Sequence, residues 1–151
     1  MMQKADIRKL SPEDTELLKA CTELEKLCIP GEAWSFESFR SEAEKPSGFV
    51  LAALDASGKV IGFLTASCVL DTAELTNIAV VPECRKQGIA GMLLNNLLSR
   101  IGKAELFLEV RESNLPAGSF YQKYGFVQVG IRKRFYQNPD ENAVLMKLES
   151  E

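Results

Sequence analysis

The stretch Asn77-Ile78-Ala79-Val80-Val81-Pro82-Glu83-Cys84-Arg85-Lys86-Gln87-Gly88-Ile89-Ala90-Gly91-Met92-Leu93-Leu94 decides the fold. It reads as an apolar strand, a short polar turn, and a helix whose first turn carries Gly88 and Gly91. A helix start has unpaired backbone N–H groups and the positive end of the macrodipole, and both favour an anion. Glycine lets a ligand approach the backbone closely. Arg85 and Lys86 add positive charge beside it. The segment is a candidate phosphate cradle; a βα turn that uses glycine only for tight packing reads the same way.

Downstream, the helix is expected from Ile89 to about Ile101, with Met92, Leu93, Leu97 and Leu98 on its buried face and Gly102 ending it. Leu106 to Val110 is a strand. Strand, helix, strand implies a parallel crossover. Pro116 to Lys123 reads as another short helix stopped by Gly125, and Val127–Phe135 and Ala143–Leu148 as two strands around a loop over 137–142.

Upstream, Asp6 to Leu10 is a short strand. Ser11 is an N-cap candidate with Pro12 at the first helical position. Leu17, Leu18, Cys21, Leu24, Leu27 and Cys28 follow at helical spacing until Pro30-Gly31 breaks it. Ser35 caps a second helix carrying Phe36, Phe39 and Ala43. Phe49–Leu54, an Asp55–Gly58 turn and Val60–Leu70 form a hairpin, and an Asp71-Thr72 turn leads into Ala73–Val81. Gly62 marks a bulge or a close contact. The order β-α-α-β-β-β-α-β-α-β-β predicts an α/β fold. One domain over 1–151 has a mixed, mostly antiparallel sheet with a central parallel βαβ crossover.

Composition narrows the chemistry. Of 151 residues, 46% are hydrophobic and 26% charged, the balance of a globular protein. A net charge of −3 gives no global basic field for nucleic acid, and Arg132-Lys133-Arg134 reads as a solvated strand face. Histidine is absent. No Ser-His-Asp set or His-rich zinc site can be built, and dispersed Cys21, Cys28, Cys68 and Cys84 do not suggest a metal site. No metal is expected. Acid–base work falls to Glu, Asp, Tyr, Cys, Lys or water. The N-terminus carries no apolar signal-like region and no run is long enough to span a membrane, so a cytoplasmic protein with reduced thiols is expected.

Two further residues stand out. Glu109 interrupts the apolar run Leu106-Phe107-Leu108-Glu109-Val110. It is either on a solvated face or held in a cleft, where burial would raise its pKa and suit it as a base. Tyr121 is either a core aromatic or a proton donor to a leaving group.

The motifs together resemble a known family. Arg85-Lys86-Gln87-Gly88-Ile89-Ala90 is similar to the Q/R-x-x-G-x-G/A acetyl-CoA motif of the GNAT N-acetyltransferases. Leu108-Glu109-Val110-Arg111-Glu112-Ser113-Asn114 and Phe120-Tyr121-Gln122-Lys123-Tyr124-Gly125-Phe126 resemble that family's later signature. Thr76-Asn77-Ile78-Ala79-Val80, the Leu108–Asn114 block and Ile29-Pro30 to Trp34-Ser35 look like the ribosomal-protein-alanine N-acetyltransferases within it. Two departures are visible. Pro139-Asp140-Glu141-Asn142-Ala143 stands where that family often has G-H-E-D-A, and Gly31-Glu32-Ala33 stands where it is usually shorter.

The resemblance implies direct acetyl transfer from the co-substrate acetyl-CoA to an amine, most like the N-terminal alanine of a ribosomal protein. A small-molecule amine acceptor (polyamine, amino acid or aminoglycoside) and a non-catalytic acyl-CoA-binding module are the alternatives. It implies that the parallel strands 73–81 and 105–110 splay apart to admit the acetyl-CoA thioester, and pairing of the Ile78, Ala79 and Val80 backbone with the pantetheine arm. N–H groups from Lys86, Gln87, Gly88, Ile89, Ala90 and Gly91 would cradle the pyrophosphate. Asn114 would bond the cofactor arm, Glu109 act as base, and Tyr121 as acid. A backbone N–H near Val80 would stabilise the oxyanion. Trp34 and Tyr136, with Phe36, Arg132 and Arg134 as further candidates, would line the amine side. The expected assembly is a monomer or weak dimer, without nucleic acid or membrane partners.

Overall fold

The computed structural model describes residues 5–28, 34–136 and 141–148. The elements are β1 (Asp6–Lys9), α1 (Thr15–Cys28), α2 (Phe36–Glu44), β2 (Gly48–Leu54), β3 (Val60–Val69), β4 (Thr72–Val80), α3 (Ile89–Ile101), β5 (Glu105–Arg111), α4 (Leu115–Lys123), β6 (Phe126–Tyr136) and β7 (Glu141–Leu148). The seven strands form one sheet in the order β1-β2-β3-β4-β5-β7-β6. All neighbours are antiparallel except β4 and β5, which α3 connects as a parallel crossover. This is the expected α/β architecture and element order. The Pro30-Gly31 break, Gly31-Glu32-Ala33 and residues 137–140 lie outside the described residues.

The two halves of the sheet differ in cover. In β2 and β3 nearly every residue from Val50 to Leu54 and from Val60 to Ala66 is buried, whichever face it points to. Helices α1 and α3 both pack on β3, which is why these strands read as continuous apolar runs. Strand β5 alternates instead: Leu106, Leu108 and Val110 are buried, while Glu105 is exposed and Phe107, Glu109 and Arg111 are half-buried. One face of the β5-β7-β6 half is therefore open. Phe39 sits at the centre of the other half, edge-on to Phe63 at 5.1 Å and tilted to Trp34 at 5.3 Å.

Several local expectations shift. Ser11 does not cap α1. Residues Ser11 to Asp14 close a turn of their own, with Asp14 N–H donating to Ser11 O (3.0 Å) and Ser11 N–H to Asp14 Oδ2 (2.8 Å). The helix starts at Thr15, its first bond running from Leu18 N–H to Asp14 O. Ser35 does cap α2, accepting from Ser38 N–H at 3.1 Å. The β3–β4 turn is Leu70-Asp71, since Thr72 already pairs with Val69. On α3, Leu94 and Ile101 join Leu93 and Leu97 in the core, while Met92 and Leu98 are only partly buried. Gly62 follows Ile61, the unpaired residue of a β2–β3 register shift, and a Cβ there would lie 3.1 Å from Ala79 O and 3.2 Å from Ile89 Cγ2. It is both beside a bulge and at a close contact.

Candidate active site

The site begins where β4 and β5 part. Their parallel register runs from Thr72 opposite Glu105 to Leu75 opposite Leu108 and goes no further. The cause is local. On its other edge β4 pairs Leu75 with Ala66 and Asn77 with Thr65, so Thr76 is an extra residue in the ladder. Such a bulge bends the strand that carries it. Thr76 Oγ1 lies 2.8 Å from the buried Thr65 Oγ1, which pins the bulge to β3. Strand β5 meanwhile stays with β7 as far as Arg111 opposite Ala143. Each strand follows its antiparallel partner and the seam opens.

The opening exposes backbone. Val81 N–H donates to Ile61 O across to β3 (2.9 Å). Antiparallel alternation then turns the polar groups of Val80 and Ile78 the other way, toward the open edge. Ala79, opposite Phe63, spends its own on β3. Of the three residues expected to pair with a ligand arm, Ile78 and Val80 are placed to do so and Ala79 supplies wall. Val80 O already accepts from Arg85 Nε at 3.1 Å.

At the far end of the opening stands the start of α3. Gly88 is its N-cap in the left-handed region (φ 85°), and Lys86 two residues earlier is also left-handed (φ 64°). The lysine conformation is sterically costly, as backbone at ligand sites often is. Met92 N–H is the first to bond within the helix, to Gly88 O at 3.0 Å. The amides of Ile89, Ala90 and Gly91 precede it, the kind of helix end that suits an anion. One side chain departs from expectation. Arg85 folds back on Val80 O and brings Nη2 to 3.5 Å from Cys28 Sγ, so it braces β4 against the end of α1. Gln87 Nε2 donates to Glu83 O. Gly91 is needed for a neighbour: a Cβ there would fall 2.1 Å from Tyr124 Oη.

These parts enclose one cleft of about 1030 Å³. Every residue singled out for the site lines it except Gln87 and the further candidates Phe36, Arg132 and Arg134. Glu109 enters from β5. Its Oε1 pairs with Arg132 Nη2 at 3.1 Å, while its buried Oε2 has no partner. Arg132, a wall candidate in the sequence, thus acts on Glu109. Tyr121 enters from α4 and is 7% exposed, edge-on to Phe126 at 5.5 Å. Burial, with the nearby Tyr136 second, pushes its hydroxyl up to about 12, so it keeps its proton across the neutral range. Asn114 caps α4 through Oδ1, accepting from Ala117 N–H at 3.3 Å; its amide N–H groups are not used in that bond. Tyr136 lines the cleft under the Arg111 guanidinium, 4.5 Å from its ring centre. Arg134 lies elsewhere, in a small hollow with Glu112, Glu141 and Asn142. Phe36 packs on the core.

The sequence reading missed Glu25. It is fully buried on α1 yet lines the cleft. Oε2 accepts the Trp34 N–H at 2.9 Å and Oε1 has no partner. Desolvation raises its pKa above the ordinary glutamate value, against the Trp34 bond, which lowers it. The neighbouring Cys21 thiol is pushed up to about 12, by burial first and by Glu25 second. The signal in the sequence is slight: Glu25 lies four residues after Cys21 and one turn before Cys28.

The acetyltransferase (GNAT) family profile matches residues 15–126, most of the chain. The chain belongs to the acetyltransferase (GNAT) family. The ribosomal protein bS18-alanine N-acetyltransferase of Escherichia coli (strain K12) is 38% identical over 121 residues, covering 76% of this chain and 80% of that one. The putative counterpart of Bacillus subtilis (strain 168) is 33% identical over 150 residues, covering 97% and 96%. The crystal structure of the Escherichia coli ribosomal-protein-S18-alanine N-acetyltransferase superimposes with a TM-score of 0.83 at 32% identity, covering 96% of this chain and 93% of that one. As a GNAT protein this chain is an N-acetyltransferase. Among the described residues no helix is long and apolar enough to cross a membrane.

Proposed function

We propose that this GNAT protein transfers the acetyl group of acetyl-CoA to the α-amino group of a protein N-terminus, an N-terminal alanine of a ribosomal protein before others. The observation that carries the reading is the open β4–β5 seam. It sets two unpartnered carboxylate oxygens and a protonated tyrosine beside an unpaired strand edge that leads to bare helix amides. Relatives that cover most of the chain and act on such a terminus support the choice of acceptor.

The residues fit acetyl-CoA. An extended arm suits the free edge at Ile78 and Val80. A diphosphate suits the left-handed Lys86-to-Gly88 turn and the α3 amides that follow. Bound there, acetyl-CoA supplies an activated thioester. The chain does the rest. Glu109 Oε2 takes the proton that the acceptor must lose; an α-amino group near pKa ~8 needs only a modest base. Val80 N–H, on the open edge, faces the oxygen that gains charge. Tyr121 O–H is the donor for the departing sulfur. Glu25 Oε1 and Glu109 Oε2 offer two acceptors to an incoming ammonium.

The test is product mass. Acetyl-CoA is offered with peptides that begin in alanine, with isolated ribosomal proteins, and with a panel of small amines. An acetyl-sized mass gain at the α-amine of alanine peptides is expected. Exclusive gain on a polyamine, amino acid or aminoglycoside would move the acceptor to a small molecule. Absence of a thermal shift with acetyl-CoA would remove the cofactor assignment.

A further inference from the structure

We infer that Glu141 is a positioning residue for the acceptor side of the cleft. It pins Arg111 at the end of β5, and Arg111 holds Tyr136 beside Tyr121. The inference rests on the acetyl-transfer reading of the cleft and deepens it.

The geometry is a clasp. Tyr136 is the last residue of β6 and Glu141 the first of β7, and the two pair across the ladder. Both ends of the β6–β7 connection therefore lie side by side. Glu141 Oε2 accepts the Ser113 N–H at 2.6 Å, and Oε1 accepts from Arg111 Nη1 at 3.2 Å. The two side chains are 15% and 19% exposed, so the pair is largely shielded and the guanidinium is held on a short tether. The same guanidinium lies over the Tyr136 ring at 4.5 Å. One carboxylate thus ties the start of β7 directly, and the end of β6 through Arg111, to the segment that leads into α4.

That segment matters to both substrates. Ser113 precedes Asn114, the cap of α4, and α4 carries Tyr121. Tyr136 lines the main cleft; Glu141 does not. Glu141 reaches the reaction only through Arg111 and Tyr136. Its carboxyl is held below the usual glutamate range by the Ser113 bonds first and by Arg111 after them, so the clasp stays charged at neutral pH. The departure at Pro139-Asp140-Glu141-Asn142-Ala143 keeps this glutamate.

Two variants test it in the full-length protein. Glu141→Gln keeps the volume and an acceptor for Ser113 N–H but loses the charge on Arg111. Arg111→Met keeps the stem and loses the guanidinium. With a synthetic peptide beginning in alanine, each is expected to raise the acceptor KM about tenfold, as loss of a shielded charge-assisted bond does. The acetyl-CoA KM should stay near wild type, and the double variant should be no worse than Arg111→Met alone. Amide hydrogen exchange, read without substrates, should quicken in 132–136 and 141–145 in both variants. Unchanged exchange overturns the clasp whether or not the wild type acetylates the peptide. Faster exchange with an unchanged acceptor KM, an equal rise in both KM values, or an additive double variant overturns the positioning role. A wild type that acetylates neither peptide nor amine defeats the functional reading, and exchange then decides the clasp alone.

Discussion

At one end of the β4–β5 seam, Thr72–Leu75 lies in parallel register with Glu105–Leu108; at the other, Thr76–Val80 and Glu109–Arg111 share no register. The strands are the same and the residues differ. The closed end presents Ala73, Leu75, Leu106 and Leu108 to the core, each 4% exposed or less. The open end presents Thr76, Glu109 and the backbone of Ile78 and Val80 to a cleft. One extra residue at Thr76 separates the two. Stability and chemistry are thereby divided along a single pair of strands, and substitutions on either side should fall into different classes.

The largest effect is expected at the closed end. Leu108 is 1% exposed, and Leu108→Ala should cost about 3 kcal/mol of stability, the middle of the range for a buried leucine that leaves a cavity. Urea unfolding measures it, and kcat per folded molecule should hold. One residue on, Glu109→Gln should leave the unfolding midpoint nearly in place and lower kcat about 100-fold, or ~2.7 kcal/mol of barrier, the low end for a general base. Arg132→Gln is the control, since it removes the ion pair and keeps the carboxylate; it should lose far less. Equal losses in both would place the effect in the pair rather than in the base. Tyr121→Phe should follow with about a tenfold fall in kcat, because a thiolate leaves readily even without a donor. A KM change without a kcat change would return Tyr121 to the core aromatics.

How far the sequence spoke depends on which interaction fixes each part. The closed end was readable, because Leu106 and Leu108 in β5 and Leu93 and Leu97 in α3 carry their burial in their own spacing. Gly102, with φ of 62°, marked the end of α3 from its place in the sequence, and Gly88, read as part of the first turn, is the left-handed residue just before the helix. The bulge at Thr76 was not readable, since it is defined by which residue of β3 it faces. Asp14 displaced Ser11 at the start of α1 because a Ser-Pro-Glu-Asp turn satisfies its own backbone. Arg85 looked like a phosphate ligand by charge, but a guanidinium within reach of an unpaired carbonyl goes to Val80 O. Glu25 stayed hidden inside the charged run Glu23-Leu24-Glu25-Lys26, although helical spacing sets it on the same face as Cys21 and Cys28. The return of the chain at Trp34 then gives that inward carboxylate its one hydrogen-bond partner among the described residues.

Glu25 gives the smallest expected effect and the sharpest one for the open end. Its pKa in the fold is raised above the unfolded glutamate value by desolvation. Between those two values the folded state binds more protons than the unfolded state, so stability falls as pH rises through the window. Below the ordinary glutamate value both states are protonated and no cost exists. Above the raised value the full cost of a buried charge is present. Glu25→Gln keeps an acceptor for the Trp34 N–H and never ionises. Its melting temperature should therefore match wild type near pH 4 and exceed it at pH 8, the gap opening with pH. The same variant should raise the acceptor KM, because Oε1 is no longer charged to receive an ammonium. Gained stability with lost affinity is the mark of a group held for its ligand. Lost stability at both pH values would make Glu25 a plain anchor for Trp34, and the open end would then rest on Glu109 alone.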